Sequence, residues 1–338
     1  MDSLIAANSK FSFDLFQEIS KNDGAKNIFF CPLSLSAALG MVRLGARNDS
    51  AQQIDRVLHF DELSQEKTKA LDPCLKYKEQ KVLADSPLEG QKGVTKPSTP
   101  QVESSKDENE LLSCYFGQLL SKLDRIKSDY TLSIANRLYG EQEFPICQNE
   151  KKTVRMMNQK GTFKMGFIEE VNAQILEMPY TKGKLSMFVL LPSCSEDNLK
   201  GLQELERNIT YEKIVAWTSS ENMSEKRVAV SFPQFTLEDS YELNSILQDM
   251  GITDVFDEKK ADLTGISLHP SLYLSKVVHK TFVEVDENGT QAVGASGAVG
   301  SVMSAPSWET FNADHPFLFF IRHNKNQTIF FYGRFCSP

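Results

Sequence analysis

The run from Asn288 to Ser307 limits the fold of this chain more than any other stretch. It contains no charged residue and is built mostly from Gly, Ala and Ser. Segments with strand character flank it, residues 281–286 before and residues 315–321 after. Too few residues follow Ile321 to build another domain, so the run is no ordinary interdomain linker. A fold for this chain must hold a long, small-residue, exposed segment between two strands.

The remainder reads as α+β, with helices at the front and strands dominating later. Leu4, Ile5, Phe11, Phe13, Leu15, Phe16 and Ile19 suit a half-buried helix. Residues 27–30 are strand-like. Residues 34–44 form a helix stopped at Gly45, and residues 50–60 form a second one. Residues 61–110 contain no Phe, Trp, Ile or Met and mix Lys with acidic residues, so they are expected to be a mobile insertion within a single domain, 1–338. A helix is expected at 111–123 and a strand at 132–139. Short strands are expected at 153–157 and 162–167, and stronger ones at 173–178 and 184–191. Helices follow at 199–209 and 211–218, then strands at 227–232 and 235–237 around Pro233, and a helix at 241–250 closed by Gly251. Residues 272–274 lead into a short helix through His279.

Several function classes are disfavoured. The net charge of −8 argues against nucleic acid, whose phosphates need a basic face. No stretch approaches 18 consecutive apolar residues, so no membrane span is expected. The histidines His59, His269, His279, His315 and His323 form no metal-binding spacing, and neither a phosphate loop nor a nucleophile elbow is present. No metal or cofactor is expected, and nothing points to an enzyme, although a triad assembled in space is left open. The first residues have neither the basic nor the long apolar region of a secretion signal, which predicts a cytoplasmic protein with its six cysteines as thiols. His279 reads as a core histidine with a hydrogen-bond partner, and His315 as the end of a loop. Composition leaves open whether Met303 is an incidental exposed hydrophobe or a side chain offered to another protein's pocket.

Three stretches near the C-terminus resemble the serpin family: Leu274 to Lys280, Val283 to Ala292 and Phe311 to Phe320. Asn27 to Ser34, Leu44 to Ala46 and Asp262 to Gly265 add to the likeness, which runs the length of the chain outside the insertion. The start of the chain and the ending Cys336 to Pro338 resemble the intracellular ovalbumin-type branch, clade B. The resemblance implies a serpin fold, with helices packed on mixed β-sheets and a reactive loop over 288–310. It implies a monomeric inhibitor of serine proteases that acts as a suicide substrate. A protease cuts the loop, forms an acyl-enzyme, and is carried off as the loop inserts into the main sheet. The same likeness places the scissile bond at Met303–Ser304 and the loop hinge at Glu287, Gly289, Thr290, Ala292 and Gly294. It assigns Ser34 and His279 to a switch network beside the insertion slot. Met303 suits elastase-like or chymotrypsin-like pockets, and trypsin-like partners are possible by family analogy.

Inserted as a strand, the loop would present Thr290, Ala292, Gly294, Ser296 and Ala298 on one face, all small, and no charge would be buried. After about residue 148 the chain departs from the family pattern. Two helices and about three strands are missing, roughly 70–80 residues at ordinary element lengths. One missing strand would border the slot, and the Asn of the switch network is lost with it. Cys31 also replaces a usual Ser. A splice-variant-like form fits this pattern. The alternative reading is a non-inhibitory interaction or structural protein that keeps the scaffold.

Overall fold

The computed structural model describes residues 2–22, 24–62, 139–145, 151–180, 183–193, 198–267, 272–285 and 307–338. The expected helix at 111–123, nearly all of the insertion and most of the reactive loop lie outside the described residues.

Three helices open the chain. Helix α1 (Asp2–Asn22) buries Leu4, Ala7, Phe11, Leu15 and Ile19, which recur every three or four residues and so share one face. Strand β1 (Ile28–Phe30) is short and wholly buried. Helix α2 (Pro32–Gly45) begins on proline, whose missing N–H costs nothing in the first turn. Its last residue is Gly45, and the Ile266 side chain occupies the space a Cβ there would need. Helix α3 (Asn48–Val57) packs Ala51, Ile54 and Val57 inward.

The large sheet follows. Its strands are β2 (Tyr139–Pro145), β3 (Lys151–Ile168), β4 (Ala173–Pro179) and β5 (Leu185–Pro192). Helices α4 (Asn198–Asn208) and α5 (Tyr211–Trp217) intervene, the second capped by Thr210, whose hydroxyl accepts the Lys213 N–H at 3.3 Å. Then come β6 (Ser224–Pro233), β7 (Phe235–Glu242), helix α6 (Asn244–Met250), β8 (Val278–Val285), β9 (Glu309–Asn312), β10 (Phe317–His323) and β11 (Ile329–Phe335). Nine strands form one sheet in the order β1-β11-β10-β5-β4-β3-β6-β9, with β2 also paired to β3. Among the described residues, β7 and β8 form a separate two-stranded sheet.

Alternation along the central strands divides the core in two. Phe188 and Leu190 of β5, with Leu318 and Phe320 of β10, face the helices. Met187, Val189 and Leu191, with Phe317, Phe319 and Ile321, face the β7–β8 side, where Phe235, Leu237 and Val285 pack. Both faces are covered, which explains why β5 is apolar nearly throughout and buried at every position. The layers are therefore helices, the large sheet, and the two-stranded sheet.

Four expectations need correction. The strands expected at 153–157 and 162–167 are one 18-residue strand, β3. The polar run from Asn158 to Gly161 does not interrupt it, because β6 pairs with β3 without a break from Met156 to Met165. The helix expected at 241–250 starts only at Asn244, since Tyr241 and Glu242 complete β7. The short helix expected through His279 is absent, and His279 lies in β8, whose whole length pairs with β7. The reactive loop, expected to reach residue 310, gives up its last two residues to β9, which is held by a parallel ladder to β6.

Candidate functional site

The two sheets meet along β1. One edge of β1 pairs with β11, so the backbone groups on the other edge need partners in a buried setting. Side chains of β7 and β8 supply them. The Phe29 N–H donates to the Tyr241 hydroxyl at 3.1 Å, and the Thr281 hydroxyl donates to the Phe29 carbonyl at 2.7 Å. One residue further on from Phe30, the Cys31 N–H donates to Nε2 of His279 at 3.0 Å. The Ser34 hydroxyl donates to the Cys31 carbonyl at 3.0 Å, within the first turn of α2. Tyr241 also donates to Oδ2 of Asp239 at 3.0 Å. Register explains the grouping: Tyr241 lies opposite His279 and Asp239 opposite Thr281, so alternate residues of both strands aim at β1 together.

Burial governs the electrostatics of this seam. His279 is only 7% exposed, and burial lowers its pKa to about 4. The bond from Cys31 acts in the same sense, because an imidazole nitrogen that accepts cannot also hold a proton. Burial raises the Asp239 carboxyl, an effect that the Tyr241 hydroxyl partly offsets. Burial likewise pushes the Tyr241 phenol up.

The structure brings both expected switch residues, Ser34 and His279, to the peptide groups of Cys31. They do not form a relay. The Ser34 hydroxyl donates to a carbonyl and His279 accepts from an amide, so neither activates the other. Tyr241, Thr281 and Asp239 belong to the same seam but have no signal in the sequence, since their partner Phe29 lies more than 200 residues away. His315 does more than end a loop. It is buried, with Nδ1 at 2.8 Å from Asp314 and Nε2 at 2.6 Å from the Pro192 carbonyl, and so ties the entry of β10 to the end of β5. Cys31 and Cys336 are buried and in no disulfide. The expected hinge residues Glu287, Gly289, Thr290, Ala292 and Gly294, and the expected bond Met303–Ser304, lie outside the described residues. Their attachments are described: β8 ends on the buried Val285, and Ser307 leads into β9.

The family model for serpins, described as serine protease inhibitors, matches residues 6–149 and 140–338. The chain belongs to the serpin family. The two matched stretches overlap at 140–149, a stretch that includes residue 148, after which the departure from the family pattern is expected. This serpin is 57% identical to human Serpin B12 over 425 residues, covering all of both chains. That alignment exceeds the 338 residues here by 87. It is 35% identical to human leukocyte elastase inhibitor over 379 residues, again covering all of both. Among solved structures it is similar to uncleaved ovalbumin, with a TM-score of 0.73 and 29% identity, covering 99% of this chain and 100% of that one. The serpin fold with clade B relatives is the one the sequence implied. The sheet of β7 and β8, whose second strand runs toward the loop, has two strands among the described residues.

Proposed function

We propose that this serpin inhibits serine proteases as a suicide substrate, with residues 288–308 as bait, and that its shortened second sheet weakens the trap. The protease serine attacks the Met303 carbonyl, the Ser304 amine leaves, and an acyl-enzyme forms. The freed strand then adds to β8. The observation that carries this reading is the free edge of β8, which pairs on one side with β7 and with no other described strand. That edge belongs to the strand from which the loop departs.

The same observation supports the expected impairment. A strand inserted into a complete slot gains two hydrogen-bond ladders, whereas one added to β8 alone gains a single ladder and leaves a fresh edge. Slower insertion lets more of the acyl-enzyme hydrolyse. Elastase-like and chymotrypsin-like proteases suit Met303, and no catalytic role is assigned to the seam because Ser34 and His279 form no relay.

The second reading, a scaffold protein that binds without trapping, draws on the same one-sided edge. Incubation of the full chain with leukocyte elastase, chymotrypsin and trypsin separates the two. A covalent complex on denaturing gels supports trapping. Clean cleavage at Met303–Ser304, with no complex and no rise in melting temperature, would leave only the second reading.

A further inference from the structure

A second surface stands at the downstream end of the bait and includes its last residue, Trp308. The outer face of β3, β6 and β9 carries Trp308, Lys160 and Arg227. Trp308 is 42% exposed although it sits at the mouth of a regular strand. Lys160 reaches over its ring, with Nζ 5.9 Å from the centroid. Lys160 pairs in register with Ala229 of β6, which in turn pairs with Thr310 of β9, so a small side chain lies between the cation and the indole. Arg227 is exposed one residue before Val228, the partner of Glu309, and so lies level with Trp308. Of the other charges nearby, Lys226 pairs with Glu309 at 3.0 Å, and Lys164 lies 3.8 Å from Glu177 and opposite the exposed Glu225 in register, so three cations face two carboxylates on this side. Lys160 and Arg227 form no ion pair among the described residues. In a chain of net charge −8, this face is locally cationic and carries an exposed aromatic.

We infer that Trp308, Lys160 and Arg227 form a docking surface for the target protease, fitted to one whose rim on the leaving-group side of the active site is acidic. The inference rests on the proposed bond at Met303–Ser304. Trp308 lies five positions after Met303 in the sequence. At 3.3–3.6 Å per residue they span at most about 18 Å. A globular domain of about 200 residues has a radius of gyration of roughly 16 Å and a body wider than that tether. A protease seated on the bond must therefore lie within about 18 Å of Trp308, whatever path the loop takes. Because Trp308 is anchored by β9, it offers an aromatic anchor with little conformational freedom to lose, ringed by charges that steer encounter.

The test measures the second-order rate of cleavage or complex formation by elastase-like and chymotrypsin-like proteases whose leaving-group rims differ in charge. Cleaved products are sequenced to locate the bond. With an acidic-rimmed protease, the double variant Lys160→Glu, Arg227→Glu should be attacked at least tenfold more slowly in 50 mM salt, and the loss should shrink in 500 mM salt. With a basic-rimmed protease the same variant should be attacked faster. Trp308→Ala should slow attack several-fold at both salt concentrations while leaving the melting temperature unchanged. Cleavage at Met303–Ser304 with rates within twofold of wild type for all variants would overturn the docking surface alone. Cleavage at another bond would overturn both the bond and the surface built on it.

Discussion

Replacing His279 by Gln should remove the part of this serpin's acid sensitivity that comes from burying a neutral imidazole. The glutamine carbonyl can still accept the Cys31 N–H, so the seam keeps its bond while losing its titration. The folded-state pKa of His279 is about 4, against an ordinary value near 6.5 in the unfolded chain. A depressed folded pKa means that, between those values, the unfolded chain binds a proton that the folded one does not. Its contribution is therefore complete above about pH 6.5 and is lost as pH falls toward 4. Going from pH 7.5 to pH 5.0, this linkage amounts to about 2 kcal/mol. His59 works in the opposite sense. A hydrogen bond to Asp14 raises its pKa, so its contribution is present below about pH 6.5 and fades as pH rises through its folded value. Since His59 is unchanged in the variant, it cancels when the two proteins are compared. The assay is urea unfolding at pH 5.0 and 7.5, followed by the fluorescence of the buried Trp217. Wild type should lose about 2 kcal/mol more than His279→Gln over this interval. If the two lose the same amount to within about 0.5 kcal/mol, His279 does not titrate as the geometry requires.

Four further changes bear on the packing that holds the seam in place. Gly333→Ala would set a Cβ 2.6 Å from the Phe319 ring and 2.9 Å from the Ile28 carbonyl, and should cost about 2 kcal/mol or more in urea unfolding. Gly45→Ala, which meets only the exposed Ile266 side chain, should cost less than about 1 kcal/mol. Tyr241→Phe leaves the Phe29 N–H and the Asp239 carboxyl without their shared hydroxyl and should lower stability by about 1–3 kcal/mol in the same assay. Arg334→Met strands the buried Glu206, which now pairs with Arg334 at 2.9 Å. A loss of about 3 kcal/mol or more is expected, with a new pH dependence as Glu206 takes up a proton.

Local pattern and tertiary pairing contributed unequally to what the sequence revealed. Helices α1 to α5 and strands β5 and β6 were legible because apolar spacing and their Pro and Gly boundaries agree with the final structure. Strand β3 was legible only in halves, because Asn158, Gln159 and Lys160 break the apolar alternation that a single-sequence reading relies on. The unbroken ladder from β6 overrides that break. His279 looked helical because Leu274, Val277 and Val278 have helical spacing, yet pairing with β7 fixes a two-residue period instead. At the seam, Ser34 and His279 could be named from family resemblance alone. Tyr241 and Thr281 act on backbone groups of a distant strand, and a backbone partner leaves no mark in the residue types.

The place of β1 in the large sheet has a consequence for how the chain is made. Its partner is β11, so residues 28–30 pair with residues 332–334, and the two strands that join β1 to β5 are synthesised after every other described strand. At ordinary elongation rates of about 5–20 residues per second, β1 waits on the order of 15–60 s for that partner. Throughout that interval the nascent chain carries Phe29 and Phe30 on one side and the apolar β5 on the other, each lacking its neighbour. Such edges aggregate readily, and long-range pairing of this kind closes slowly. Helper proteins that shield nascent chains would thus be needed until the final residues arrive, and a chain that stops short of Phe317 leaves its large sheet in two pieces.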